Sequence, residues 1–498
     1  MSPIVIVSLM TAAGITAVLA ALATRLLRLR HLDRWIGTYL IQAPKRRAPT
    51  PSKPVHLLLC IADHFEPRGG GVASEVACER VRRWTESYQV IFGDFHDSDG
   101  RPPRHTFFFP LEEYEPEHLD LLAGLCRAGY GEVEVHLHHD GETAASLRRR
   151  LLDFKHTLAD RHGLLGRVRG TGEPVYGFIH GNWALDNARP DGRWCGVNNE
   201  LDILRETGCY ADFTLPSAPH PTQTRKINSI YYAVDDPCHP KSHDTGRDVG
   251  FGEPPRDALL LIQGPLLLDW RRRKWGLLPR VENGCIQAGQ PPDDRRVDLW
   301  LRARVQVPAR PDWFFVKLHT HGANEENRRV LLGSPMIEFH RALRRRARQD
   351  PNFHYHYVTA RELYNLVQAA EAGWRGSVAE VLDFRLTGTS TAPPQACPRA
   401  RSPPPEPANT ARSTPSLQEP LPCIEPSSTW TCSRAATRHP RPLPWRSTEI
   451  FARPSAPGSK RRKPSWGSSA WATSACRWPA HSRLAAFGSS GSTTTRPR

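Results

Sequence analysis

Apolar, strand-like runs alternate with helical patterns through the middle of this chain. Runs such as VHLLLCIADHF and WFFVKLHTHG are apolar almost throughout and end on polar residues. Strands that are apolar on both faces are typical of parallel sheets covered by helices, whereas half-exposed strands alternate between apolar and polar residues. Seven or eight such runs predict an α/β fold, a closed or nearly closed (β/α) barrel of about seven parallel strands over residues 56–385.

The N-terminal segment differs from this body. It has no charged side chain from Met1 to Thr24, which suffices for a membrane-spanning helix, and we predict a transmembrane anchor over residues 1–30 that contacts membrane lipid. Arginines follow the apolar run directly. The positive-inside rule then predicts a single-pass protein of the cell inner membrane with its body on the cytoplasmic side. Residues 31–55, which include PKRRAPTPSKP, predict a basic, Pro-rich linker.

The C-terminal segment, residues 386–498, has yet another composition. It contains 19 of the 46 prolines and five of the 14 tryptophans, but no aspartate. Such a segment cannot bury enough apolar surface to offset its ordering entropy, so we predict a disordered Pro/Ser/Arg-rich tail. Its composition resembles out-of-frame translation of GC-rich DNA, which we favour over a genuine functional tail.

The basic residues are concentrated outside the body. The chain has a formal net charge of +16, of which residues 1–55 contribute +7 and residues 386–498 contribute +12, leaving −3 for the body. A nearly neutral body lacks the basic surface of a nucleic-acid-binding protein, so we predict no nucleic-acid partner.

The stretch VEVHLHHDGE contains the most concentrated set of possible metal ligands. Since side chains of a strand alternate between faces, His136, His138 and Asp140 share one face and His139 lies on the other. Two imidazoles at positions i and i+2 of a strand end can reach one cation, and zinc suits imidazole and carboxylate ligands. The alternative is a solvated, histidine-rich turn.

Similar residues follow three other predicted strands. In parallel α/β barrels the carboxyl ends of the strands gather on the catalytic face, so we expect these side chains to lie near His136. The alternative is a set of buried histidines with satisfied hydrogen bonds and helix-capping aspartates. The residues concerned are Asp63, His64 and Glu66 after the first run, His180 and Asn182 after VYGFIHGNW, and His319 and His321 in FFVKLHTHG.

The order of these motifs resembles that of the polysaccharide deacetylases, a family of metal-dependent carbohydrate esterases. ADHFEP stands where that family has its first-strand aspartate motif, and EVEVHLHHD follows a long helix and glycine as the family's histidine motif does. GFIHGNWALDN is similar to its G-x-W block, LLLIQGPLLL stands at its x-E-I-P motif, and FVKLHTHG resembles its last, histidine-bearing motif. The resemblance covers about residues 56–365.

The resemblance implies a metal-dependent hydrolase that removes acetyl groups from an acetylated polysaccharide or glycan. It implies Asp63, His136 and His138 as metal ligands, with His64 or Asp140 as substitutes. The metal it implies is a divalent cation, with Zn²⁺ as the first choice. His319 or His321 would be the general acid, and His180 would hydrogen-bond the base or the substrate. If Asp63 is instead the base, His64 replaces it at the metal.

The chain departs from the family pattern at two of these motifs. Ala62-Asp63 replaces the usual pair of aspartates, and Phe178-Ile179-His180 stands where an arginine is common. The first departure leaves the base open and favours an alternative function, a catalytically inactive glycan-binding accessory protein of polysaccharide synthesis or export. A metal-dependent glycosidase would need two opposed carboxylates, for which only Asp63 and Asp140 are candidates.

The segment after His180 predicts a substrate-lining loop. It is rich in Asn, Asp and Trp, and sugars hydrogen-bond to amides and stack on aromatic rings, so Trp183, Asn187 and Trp194 are the candidate substrate-binding residues. A self-bonded surface loop is the equal alternative.

Overall fold

Helices and strands alternate along the computed structural model, which describes residues 2–50, 52–250 and 253–388. The α-helices of this part are α1 (Pro3–Leu29), α2 (Ile36–Ile41), α3 (Ser74–Phe92), α4 (Pro116–Arg127), α5 (Ala144–His156), α6 (Glu200–Glu206), α7 (Asp294–Ala303), α8 (Glu325–Leu331), α9 (Ser334–Gln349) and α10 (Ala360–Glu371). The strands are β1 (Val55–His64), β2 (His105–Pro110), β3 (Gly131–Leu137), β4 (Gly166–Val168), β5 (Pro174–His180), β6 (Cys209–Asp212), β7 (Ile230–Val234), β8 (Arg247–Asp248), β9 (Ala258–Ile262), β10 (Leu267–Lys274), β11 (Leu278–Glu282), β12 (Trp313–Thr320), β13 (Phe353–Tyr357) and β14 (Leu386–Thr387).

The central sheet is mostly parallel, which confirms the predicted α/β class. Its strand order is β12-β1-β2-β3-β5-β6-β9-β7-β8, and every neighbouring pair from β12 to β9 is parallel. Strand β13 pairs in parallel with the first half of β1, while β7 and β8 extend the other edge in antiparallel fashion. The carboxyl ends of seven strands therefore point the same way, as the prediction requires.

The two ends of this parallel run, β12 and β9, lie near each other, but no ladder joins them within the described residues. A Cβ atom on Gly264, just after β9, would lie 2.3 Å from the carbonyl oxygen of Lys317 in β12. The chain after β11 also borders β12, because His319 N–H donates to Gly284 O at 3.0 Å and Ile286 N–H donates to His319 O at 2.8 Å. The pairing thus shows a mostly parallel sheet whose two edges lie close together.

Side-chain alternation in β1 separates two apolar layers. Leu57, Leu59 and Ile61 pack in an outer layer with Trp84 of α3, whereas Leu58, Cys60 and Ala62 belong to an inner layer with Phe108 and Phe315. Because neighbouring residues of a strand face opposite sides, Asp63 continues the outer row and His64 the inner row. This parity decides which polar side chains can meet at the carboxyl ends.

Helix α1 is long and apolar enough to span a membrane or to be a signal sequence. The predicted linker 31–55 contains helix α2, and its Trp35 and Tyr39 are buried. Gln42 Nε2 also donates to Ile227 O at 2.8 Å. This part of the segment therefore packs against the body. Burial of large aromatic side chains is favourable, so the segment is more stable packed than solvated. From residue 389 onward, the predicted tail lies outside the residues that the structure describes.

Candidate metal centre

Possible metal ligands from three strand ends meet at the carboxyl edge of the sheet. The ligand atoms of Glu66, His136 and His138 all lie within 4.8 Å of one another, and so do those of His64, Glu66 and His321. Glu66 belongs to both sets. We call the five residues Glu66, His64, His136, His138 and His321 the Glu66 cluster.

The hydrogen bonds of His136 leave one ring nitrogen available for a cation. Its Nδ1 donates to the carbonyl oxygen of Ile179 at 3.0 Å, so Nε2 carries the lone pair in the neutral ring. That Nε2 faces Glu66 Oε1 at 3.2 Å. Two acceptors that face each other need a proton or a cation between them, and a backbone carbonyl on Nδ1 is the usual support of a metal-binding histidine.

His138 repeats this arrangement with a carboxylate in place of the carbonyl. Its Nδ1 and its backbone N–H both bond to Glu112 Oε1, and its Nε2 lies 3.5 Å from Glu66 Oε1. Burial lowers the pKa of His138, but the hydrogen bonds to Glu112 and Glu66 outweigh it and raise the pKa well above its usual value. The two carboxylates therefore favour a positive charge here, which a metal ion supplies when it displaces the proton.

His64 brings an unpaired imidazole to the same place. Neither of its ring nitrogens has a hydrogen-bond partner among the described residues, and its ring centroid lies 4.8 Å from that of His136 and 4.7 Å from that of His321. Burial, then the charges of His321 and His136, lower the pKa of His64 well below its usual value. The ring is therefore neutral at pH 7, the form that ligates metals.

His319 and His321 follow the same inner row at the end of β12. Both ring nitrogens of His319 and Nε2 of His321 are buried without a partner in the described part of the chain. Burial, then Lys317, lower the pKa of His319 well below its usual value. Orphaned buried nitrogens are rare in folded proteins, and a bound cation would satisfy such groups. The donor set of imidazoles and one carboxylate fits zinc or a similar divalent metal.

Asp63 is buried, but it lies outside both ligand sets. Its Oδ1 accepts from the Gly322 N–H at 2.6 Å, and its Oδ2 pairs with His105 Nε2 at 2.8 Å. These contacts follow from its position on the outer row of β1. Asp63 thus holds the turn directly after His321, which makes it a positioning residue for that imidazole.

A second set of possible ligands lies behind the cluster and is completely buried. It consists of His139, His180, Cys195 and Glu200, whose ligand atoms lie within 4.8 Å of one another. Glu200 Oε1 accepts from His139 Nε2 at 3.0 Å, and the ring centroids of His139 and His180 are 4.5 Å apart. His180, predicted at the active site, is therefore on the outer side with Glu200, where His139 also lies.

The predicted substrate-binding residues occupy different surroundings. Trp183 is 4 % exposed and covers the centre, with its ring centroid 4.9 Å from that of His64 and 5.2 Å from that of His319. Asn187 Nδ2 donates to Asn198 Oδ1 at 2.9 Å within its own loop.

Trp194 and Asp140 lie together at the rim of this loop. The Arg189 guanidinium covers the Trp194 ring at 3.9 Å from its centroid, and the Trp194 N–H donates to Asp140 Oδ1 at 2.6 Å. Asp140 is exposed and lies outside the ligand sets, because β3 ends at Leu137 and the chain turns before Asp140. The structure therefore brings Trp183 to the centre, but neither Trp194 nor Asp140.

Two acidic residues at this site were absent from the predicted ligands. Glu66 had a signal, because it stands two residues after His64 just as His138 stands two residues after His136. Glu112 had none nearby, since it reaches His138 only because β2 and β3 are neighbours in the sheet.

Gly181→Ala tests the position of His138 without removing a ligand. A Cβ atom at Gly181 would lie 2.4 Å from Cδ2 of the His138 ring, so the ring must move. We expect metal affinity to fall about tenfold or more, as when a ligand loses its support. Competition with a chromophoric chelator measures this. Gly124→Ala, whose added Cβ would have no neighbour within 4 Å, should retain the wild-type affinity.

Glu112→Gln tests the support of His138. The amide retains the shape but weakens the acceptor for the ring N–H, and we expect about 10–100-fold weaker metal binding with the fold intact. The matched control is Glu117→Gln, which changes a 62 % exposed side chain paired with Arg82. Equal affinities in the two variants, measured by metal titration, would show that Glu112 does not support a ligand.

No protein-family model matches this sequence, and neither does any curated protein. Among solved structures, an alpha-mannosidase from Enterococcus faecalis V583 is similar, with a TM-score of 0.34 and 10 % sequence identity. The alignment covers 63 % of this chain and 29 % of that one. The chain thus spans less than a third of that structure, and a similarity of this size carries no argument about activity.

Proposed function

We propose that this protein is a metal-dependent hydrolase that removes acetyl groups from a polysaccharide or glycan. One observation carries the proposal: the Nε2 atoms of His136 and His138 both face Glu66 Oε1, while their Nδ1 atoms are tied to Ile179 O and Glu112. Such tethered imidazoles around a carboxylate are the arrangement of a metal centre. The order of motifs that resembles the polysaccharide deacetylases supplies the reaction class.

Glu66, His136 and His138 would hold the divalent cation, Zn²⁺ by the chemistry of the donors. When bound, such a cation lowers the pKa of water and polarises a substrate carbonyl. His319 and His321 lie at the end of β12 with unpartnered nitrogens in the described part of the chain. A neutral imidazole there can accept a proton and return it to the leaving group. Trp183 covers these rings and would exclude water from them.

The finer architecture and location also belong to this proposal. The closeness of Gly264 to Lys317 supports closure of the seven parallel strands into a barrel. Helix α1 would anchor the protein in the cell inner membrane, where the arginines after it favour a cytoplasmic body.

A second candidate is a glycan-binding accessory protein without hydrolytic activity. The contacts of Asp63 favour it, because both carboxylate oxygens are already engaged by Gly322 and His105. An Asp63 held in this way is not available as a base unless these contacts break.

The decisive experiment measures bound metal and acetate release with the purified full chain. The panel should contain N- and O-acetylated glycans, and His136→Ala should be compared with His239→Ala, which changes a 76 % exposed imidazole. The expected results are metal binding and acetate release by the wild type, with both reduced in His136→Ala and both retained in His239→Ala. Metal binding without acetate release across the panel would support the accessory function, and absence of divalent metal would refute both the metal site and the hydrolase.

A further inference from the structure

We propose that the Glu66 cluster binds two divalent cations, with Glu66 as the shared ligand. One cation takes Glu66, His136 and His138, and the other takes Glu66, His64 and His321, so His319 remains as the imidazole that carries the proton. This inference rests on the proposed metal centre and extends it from one ion to two.

The grouping of the ligand atoms points to two positions. Imidazole and carboxylate ligands of zinc lie at about 2.0–2.2 Å, so two ligands of one ion lie within about 4.4 Å of each other. The ligand atoms of the five side chains fall into two sets of three, each within 4.8 Å of one another, and only Glu66 is common to both sets. A carboxylate has two oxygens and can serve two ions, and paired ions in hydrolases lie about 3.5–4 Å apart.

The hydrogen bonding of the second set supports the same conclusion. His64 has two buried nitrogens without a partner in the described residues, and Nε2 of His321 is in the same condition. An ion held by His136 and His138 alone would leave these nitrogens unsatisfied. Burial in such a state is unfavourable, so a second cation accounts for two imidazoles that the first one does not use.

The completely buried set around Glu200 is a weaker place for a second ion. The Asn182 N–H donates to His180 Nδ1 at 3.2 Å, so the neutral His180 ring carries its proton on Nε2. That Nε2 faces Glu200 Oε1 at 3.9 Å, while His139 Nε2 bonds the same oxygen at 3.0 Å. The His139 ring proton directed at Glu200 occupies a position that a metal would need, although His180 Nε2 has no hydrogen-bond partner among the described residues.

Metal counting on the full chain tests the inference. We expect two Zn²⁺ per chain by elemental analysis, and one in both His64→Ala and His138→Ala. Cys195→Ser, in the Glu200 set, should retain two. Loading the wild-type protein with Mn²⁺ provides a test without any variant, since two ions that share Glu66 should give an exchange-coupled electron paramagnetic resonance spectrum.

Each other result overturns a distinct claim. One ion per chain with an uncoupled Mn²⁺ spectrum would refute the second ion and leave the proposed hydrolase standing. No bound ion would refute both. A third result would be two ions in the wild type, one of them lost in Cys195→Ser and neither lost in His64→Ala. That result would place the second ion in the Glu200 set and refute Glu66 as a shared ligand.

The β10–β11 hairpin supports a second, independent inference. Its exposed side chains include Trp270 at 55 %, Trp275 at 68 % and Leu277 at 76 %. They flank the continuous basic run Arg271–Lys274 on both sides. Large apolar residues among Arg and Lys are typical of surfaces that rest in a membrane interface.

The hairpin also contacts the segment that follows the apolar N-terminal helix. Leu268 N–H donates to the Tyr39 hydroxyl of α2 at 3.3 Å. We infer that the hairpin contacts the anionic phospholipid surface of the bilayer in which α1 is proposed to anchor the protein.

Hydrogen exchange of the full chain tests this contact. We expect peptides covering residues 267–282 to exchange at least several-fold more slowly in nanodiscs with anionic phospholipid than in purely zwitterionic ones. Combined Arg271→Glu and Arg273→Glu substitutions should remove the difference. Because both side chains are exposed, we expect these substitutions to leave the fold intact. Equal exchange in the two lipid compositions would refute the anionic-surface contact.

Discussion

Glu66→Gln is expected to abolish metal binding and to lower acetate release by about 10³-fold or more, since a cation contributes several kcal/mol and each 1.36 kcal/mol is a factor of ten. Glu66 is the one residue common to both ligand sets. Glutamine preserves the side-chain volume but removes the negative charge that faces His136 and His138. Elemental analysis and acetate assays on the full chain measure the two effects.

The matched control for this variant is Glu113→Gln. Glu113 accepts from the Arg68 N–H at 2.7 Å and lies outside the ligand sets. Burial raises its pKa to about 7, so about half of its carboxyl groups are already neutral near that pH. We expect metal content to be unchanged and acetate release to change little. Equal losses in both variants would show that general negative charge, rather than ligation by Glu66, governs the site.

The strand pattern predicted the location of this centre better than its exact ligands. The pairs His136/His138 and His319/His321 were predictable because alternation puts i and i+2 on one face. The same rule, applied to β1, separates Asp63 from His64, and the structure directs them to the outer and inner rows. The partner of Asp63, His105, lies on a neighbouring strand, so no local pattern identifies it.

Interruptions of the regular pattern were harder to predict. The run LLLIQGPLLL resembles one continuous strand, but β9 ends at Ile262 and β10 begins at Leu267 as part of a separate antiparallel hairpin. A Cβ at Gly264 would lie 2.3 Å from Lys317 O, so the chain between the strands passes directly against β12. Such close backbone approach depends on tertiary contacts that apolar periodicity does not contain.

Arg296→Met is expected to destabilise the protein by about 3–5 kcal/mol, the usual cost of removing one partner of a buried ion pair. Arg296 is 1 % exposed, and its Nε and Nη2 donate to the two oxygens of Glu282, each at 2.8 Å. Without it the Glu282 carboxylate retains only weaker donors such as Trp300 Nε1. Chemical denaturation measures the loss, and Arg295→Met, at a 70 % exposed neighbour, should cost little.

The double variant Glu282→Leu/Arg296→Met separates charge burial from lost packing. Because it removes both charges, it should be more stable than Arg296→Met alone, although Arg296 also donates to the carbonyl oxygens of Gln290 and Cys285. Glu282 directly precedes the segment that bonds to His319, so the ion pair secures the backbone of one candidate proton carrier. We therefore expect Arg296→Met to lower acetate release at temperatures where the protein is still folded. Equal stability of the single and double variants would show that the carbonyl contacts, rather than the unpaired carboxylate, account for the loss.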